Sequence, residues 1–178
     1  MKQIICLLLC VAFYTSCKRD DFTTTPLASL KIINTVAGGT EVKLRGEPIT
    51  IINNNSNRNF ALLTGNQDLY IYPVADSLHP YYHGNNKIVM EAQQMYSLFL
   101  GGTPDAVNSL LIHEKELMEQ DSNIRIRILN YSPGGPPINV SLSTSSDINE
   151  FSNIAVGQIT NFKPFSKAGT NTEYTLEF

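Results

Sequence analysis

The sequence predicts an all-β protein, an immunoglobulin-like antiparallel β-sandwich made of two related units. Three observations lead there. Short runs alternate apolar and polar residues, clusters of Gly, Pro, Asn and Ser separate those runs, and one strand-turn-strand passage is written twice along the chain. Period-two alternation gives a strand one dry face and one wet face, whereas long helical patterns of the kind that carry parallel crossovers are missing.

The alternating runs are Leu30-Lys31-Ile32, Glu41 to Arg45, Leu69-Tyr70-Ile71-Tyr72, Ile124 to Ile128, Ile138 to Leu142 and Tyr174 to Phe178. Turn-forming clusters at Ala37-Gly38-Gly39, Asn53 to Ser56, Gly101-Gly102-Thr103-Pro104 and Ser132-Pro133-Gly134-Gly135 punctuate them. Asp105 to Gln120 admits two readings. Val107, Leu110, Leu111, Leu117 and Met118 fit a helical stripe, while Ser109 to His113 fits a buried strand followed by the charged, solvated turn Glu114-Lys115-Glu116. The strand is favoured, because the apolar run is short and follows a Gly-Gly-Thr-Pro break.

The repeat sets the organisation. Leu30, Ile32, Ile33, Asn34, Gly38, Gly39, Val42 and Leu44 align without a gap on Ile126, Ile128, Leu129, Asn130, Gly134, Gly135, Ile138 and Val140. In each copy a strand ends in Asn, a Gly-Gly turn follows, and a second strand returns. Asn closes an Asx turn and glycine accepts positive φ, so both residue types suit that corner. The expected division is a first unit over 27–120 and a shorter second unit over 121–178, possible as one sandwich or two.

Asn130-Tyr131-Ser132-Pro133-Gly134 followed by Ile138-Asn139-Val140, together with Tyr96 to Pro104, resembles a domain family found in lipoproteins of Bacteroidota. Its members carry a strand ending in Asn-x-Ser-Pro and then a Val-Asp-Val-Tyr-like strand. The resemblance implies a β-sandwich module of cell-surface proteins with no established activity. Thr35-Val36-Ala37 stands in the first copy where the family has Ser-Pro.

At the amino terminus, Lys2, the apolar run Ile4 to Phe13 and Thr15-Ser16-Cys17 have the layout of a secretory signal. The run is too short to span a bilayer, which needs about 20 apolar residues. It resembles the lipobox of diacylglyceryl-modified lipoproteins, with small residues before the modified cysteine; Tyr14 departs from the branched aliphatic residue usual there. The resemblance implies a signal over 1–16, lipidation at Cys17 and a tether over 17–26. Lys18-Arg19-Asp20-Asp21 resembles the charged export signal of Bacteroidota surface lipoproteins, with a merely solvated, flexible tether as the less favoured reading. The expected location is the outer membrane, lipid-anchored and facing outward. Acyl chains hold such an anchor by burying methylenes at about 0.8 kcal/mol each.

Composition narrows the partners. Thirteen basic residues against sixteen acidic ones give a formal net charge of −3, with the basic residues scattered rather than clustered. Nucleic acid is therefore not an expected partner. Of three cysteines, Cys6 and Cys10 fall in the signal and Cys17 is the lipid carrier. The remaining chain must fold on its core alone, without disulfides, thiol nucleophiles or cysteine metal sites. No cofactor is expected.

His79-Pro80-Tyr81-Tyr82-His83 is the most distinctive local stretch, read as a loop between two strands. His79, Tyr81, Tyr82 and His83 form a candidate ligand-binding loop, in which rings stack on sugar faces and polar tips bond hydroxyls. The plainer reading has Tyr81 and Tyr82 covering the end of the sandwich. Pro80 opposes the helical geometry that a His79/His83 metal pair requires. The sequence holds no nucleophile elbow, His-Glu-x-x-His, phosphate loop or Gly-x-Gly-x-x-Gly. The expectation is a non-enzymatic surface lipoprotein, a binding or structural accessory for extracellular glycan or a partner surface protein. A small carbohydrate-processing hydrolase is the alternative.

Overall fold

The computed structural model describes residues 25–47, 49–115, 123–166 and 173–178, and every regular element among them is a strand. The signal, Cys17 and Lys18 to Asp21 lie outside the described residues, as does the tether up to residue 24.

The first unit contains β1 (Leu27–Asn34), β2 (Val42–Leu44), β3 (Ser56–Leu63), β4 (Gly65–Gln67), β5 (Tyr70–Pro73), β6 (Tyr82–His83), β7 (Ile88–Met90), β8 (Met95–Thr103) and β9 (Ala106–Glu114). One layer is a four-stranded sheet in the order β3-β1-β8-β9; the other holds β2-β5-β6, with β4-β7 as a separate pair. Between them lies the core. Leu30, Ile32, Leu98 and Leu100 enter it from the first layer and Val42, Leu44 and Ile71 from the second, none more than 3% exposed. Each such side chain contributes about 1.5–3 kcal/mol relative to exposure. Asp105 onward is strand: β9 pairs with β8 from Thr103↔Ala106 to Met95↔Glu114, around the predicted Gly-Gly-Thr-Pro corner.

One pairing departs from the antiparallel rule. β1 runs parallel to β8, from Ser29↔Met95 to Asn34↔Leu100. No helix is needed to make that crossover, because the strands from β2 to β7 supply it, with β2, β5 and β6 in the opposite layer and β3 returning beside β1.

The second unit contains β10 (Asn123–Ile126), β11 (Ile138–Leu142), β12 (Ser145–Ile154), β13 (Lys163–Ser166) and β14 (Leu176–Glu177). β10 pairs with β13, and β11 lies between β12 and β14. Its own core comprises Ile128, Val140, Phe151, Ile154 and Phe165.

The repeat is a structural one. Asn34 and Asn130 are 0% and 2% exposed at the ends of equivalent strands. After them Gly38 and Gly134 take φ of +72° and +67°, and the next glycine N–H donates to Val36 O in one unit and Ser132 O in the other. β1 pairs antiparallel with β3 as β10 does with β13, and β2 with β5 as β11 does with β14. Val42 bridges Ile52, and its counterpart Ile138 faces Ile154.

Candidate functional site

The predicted aromatic loop is partly strand. Tyr82 and His83 form β6 opposite Ile71 and Tyr70, and the Tyr81 N–H donates to Ile71 O at 2.8 Å. Tyr81 and Tyr82 are half-buried and pack against the first core, and burial raises the Tyr82 phenol pKa. His83 Nε2 lies 3.0 Å from Asp68 Oδ1, with its ring edge-on to Tyr70 at 5.0 Å. Arg45 pairs with Asp68 and caps the Tyr70 ring at 4.4 Å. His79, by contrast, is exposed and turned to Asp76, its Nδ1 2.8 Å from Oδ2. That bond, with the Leu78 N–H, holds the Asp76 carboxyl below its usual range. The four loop residues thus have separate partners and do not converge. Among the described residues no group of three or more His, Cys, Asp or Glu is placed to hold a metal ion.

Two clefts lie elsewhere. The smaller, of about 230 Å³, sits in the seam between the units, lined by Ile112, His113, Glu114, Lys115, Arg127 and the segment Ile159 to Phe162. At its centre Arg127, on the continuation of β10, forks onto Glu114 at the end of β9, with Nη1–Oε2 at 2.8 Å and Nη2–Oε1 at 2.5 Å. The guanidinium is also stacked over Phe162 at 4.5 Å and lies 5.5 Å from the Phe99 ring. Partial burial opposes ionisation of Glu114, yet the Arg127 fork, the Ser97 hydroxyl and nearby Lys31 outweigh it and hold the carboxyl below its ordinary value. A carboxylate kept charged with both oxygens occupied does not suit general acid catalysis, which needs a proton held near neutral pH. Beside it His113 stacks on Tyr96 at 4.7 Å and bonds Gln94 through Nε2 at 3.0 Å.

Sequence reasoning placed Glu114 in a solvated turn. It is instead the last residue of β9, with a side chain only 17% exposed. Its partner lies in the other unit, and only the alternating arginines of Ile124 to Ile128 hinted at a charged face there.

The larger cleft, of about 430 Å³, opens where β1 begins, lined by Leu27, Ala28, Ser29, Asn59, Phe60, Ala61, Gln93, Gln94 and Met95. Gln93 takes φ of +61°, and its N–H donates to Leu27 O at 2.9 Å, which fixes this corner beside β1. No ionisable side chain lines it. Amide and hydroxyl groups around Phe60 and Met95 offer hydrogen bonds next to apolar surface, the division found in polar-ligand sites.

The chain matches no protein-family model and no curated protein. Among solved structures, the C-terminal domain of AlgF from P. aeruginosa is similar over 50% of this chain and 99% of that domain, at 10% identity and a TM-score of 0.38. Fold and sites together describe an all-β sandwich protein with two related units and a charged seam between them.

Proposed function

We propose that the protein is a non-enzymatic lipoprotein of the outer membrane, held through Cys17 and facing outward by virtue of Lys18 to Asp21, that binds extracellular glycan or a partner surface protein. The observation that carries the binding reading is the cleft at the start of β1, with Ser29, Asn59, Gln93 and Gln94 around Phe60 and Met95 and no titratable group. Sugar hydroxyls are met by amides and sugar faces by apolar surface, with no acid or base required. The seam carboxylate, committed to Arg127, favours binding over hydrolysis.

A glycan array and a pull-down from surface extracts test the reading. Binding is expected, and it should fall at least tenfold in Asn59→Ala with Gln93→Ala. Loss on changing Tyr81 and Tyr82 to Ser, with the cleft variant unaffected, would move the contact to the β5–β6 loop. Cys17→Ala should release the protein from the membrane fraction, and neutralising Lys18 to Asp21 should abolish surface labelling while membrane attachment persists. Retention of the Cys17→Ala protein on the membrane would refute the anchor.

A further inference from the structure

The end of the first unit at which β1 begins is apolar on its surface. Leu27 of β1, Leu63 of β3, Val89 of β7 and Met95 of β8 are 46%, 57%, 57% and 57% exposed. Strand register gathers them there: Leu27 lies opposite Leu63, and Ser29, two residues on, lies opposite Met95. β7 is tied to the same end, because the Tyr96 hydroxyl, next to Met95, donates to Val89 O at 3.3 Å and accepts the Glu91 N–H at 3.1 Å. The segments that build this end, Thr25 to Leu30, Asn59 to Gln67 and Ile88 to Met95, carry one ionisable side chain, Glu91. Beside them Glu114, opposite Met95, is engaged by Arg127. Single apolar residues on a surface need no explanation, whereas a group drawn from several strands and kept clear of charge marks an interaction surface.

The chain entering this end comes from the proposed lipid carrier. Leu27 follows Cys17 by ten residues. That length spans at most about 35 Å whatever its conformation, so an acylated Cys17 keeps the start of β1 within this distance of the bilayer. The far end of the sheet stands off by the length of β8, Met95–Thr103, roughly 27 Å more when the strands point away from the membrane.

We infer that this end of the first unit rests on the membrane, with Leu27, Leu63, Val89 and Met95 entering the boundary between headgroups and acyl chains. So small a rim does not make a stable protein interface, which takes about 20–30 residues a side. A lipid surface asks less. The anchor already makes the second contact an intramolecular one, so that a weak apolar contact is populated. The inference rests on the proposed Cys17 anchor. A glycan taken by the β1 cleft, which shares Leu27 and Met95 with the rim, is then one met at the membrane surface.

The chain contains no Trp, so one introduced indole is a unique reporter. Leu63→Trp is compared with Asp105→Trp, an exposed position in the turn between β8 and β9 at the other end of the sheet. Each acylated protein is extracted from the membrane fraction and reconstituted in phosphatidylcholine vesicles with plain or brominated acyl chains. The indole of Leu63→Trp should lose about half its emission to the bromines, as fits a side chain buried about 5–10 Å into that boundary, and the indole of Asp105→Trp none. Adding Leu27→Asp and Val89→Asp to Leu63→Trp should abolish the quenching while membrane attachment persists. No quenching in Leu63→Trp, equal quenching in Asp105→Trp, or quenching untouched by the two aspartates overturns the inference. So does an indole that shifts to the blue only as protein is crowded on the vesicle and stays unquenched, which would make the occupant a second copy. The mass of Cys17 keeps anchor and docking apart. An unmodified Cys17 defeats the proposed anchor and the inference with it, whereas an acylated Cys17 with an unquenched indole overturns the docking alone.

Discussion

Arg127 reaches out of the second unit to grip Glu114 of the first through two parallel hydrogen bonds, with Phe162 stacked on its guanidinium. Both side chains are 17% exposed, so the pair is largely withdrawn from water. Bidentate geometry and low exposure distinguish it from surface ion pairs, which contribute little.

Arg127→Ala should therefore destabilise the protein by about 1–3 kcal/mol at neutral pH, because Glu114 is left partly buried without its cation. The urea midpoint should fall with little change in slope.

The same variant carries a pH signature. Folding holds the Glu114 carboxyl below its ordinary value of 4.5, so on acidification the unfolded chain takes up the proton first. The contribution is whole above that value and is lost as pH falls through the folded pKa. The stability gap between parent and Arg127→Ala should shrink steadily on acidification. A gap that stays constant would show that Arg127 acts by packing on Phe162 rather than by charge.

Tyr131 and Gly101 form the second contact across the seam. A Cβ at Gly101 would lie 2.0 Å from Tyr131 Cδ2, so the ring occupies the space that a side chain there would take. Burial pushes the Tyr131 phenol up to about 12. Gly101→Ala must displace the ring, at a cost of roughly 1–3 kcal/mol, and the phenol should fall back towards its ordinary value of 10. A raised folded pKa means that the contribution is whole below 10 and drains away as pH rises towards 12. Ultraviolet difference titration against Tyr131→Phe reads the phenol and urea midpoints read the stability, and an unmoved phenol in Gly101→Ala would show that burial there comes from other neighbours.

What the sequence made legible follows from where side chains are buried. The strand-turn-strand repeat was readable because Leu30, Ile32, Val42 and Leu44 alternate strictly and each buries fully. β3 and β12 were not readable as strands. Ser56 to Leu63 buries Phe60 alone, and Ser145 to Ile154 buries only Phe151 and Ile154, so polar residues on both faces mask the period. Their extended state is imposed by pairing with β1 and β11. The seam was hidden for another reason: Glu114 and Arg127 meet through tertiary docking, which local periodicity does not encode. For Tyr81 and Tyr82 the sequence left ligand loop and sandwich cover both open, and their packing on the first core supplies the second role.

Asn130 offers a test of the repeat's corner in which pH should act with the opposite sign. Its Oδ1 accepts the Ser132 N–H at 3.0 Å and its Nδ2 donates to Ile154 O at 2.9 Å, in a site 2% exposed. Asn130→Ala leaves both main-chain groups without these partners, at about 1–3 kcal/mol for each group stranded in a dry site. Asn34→Ala should behave similarly in the first unit, where the amide donates to Thr40 O at 2.9 Å. Asn130→Asp keeps the acceptor for Ser132 but sets a buried carboxylate against the Ile154 carbonyl, so at neutral pH it should be at least as damaging as Ala. Burial and that carbonyl both raise the new carboxyl's folded pKa above its unfolded value. The folded state then binds the proton more tightly than the unfolded chain, and a protonated carboxyl regains a donor for Ile154. Relative to the parent, Asn130→Asp should therefore recover stability as pH falls, whereas Arg127→Ala gains on its parent only because the parent weakens. Urea midpoints across pH separate the two, and an Asn130→Asp deficit that does not shrink on acidification would show that the amide donor to Ile154 does not hold the corner.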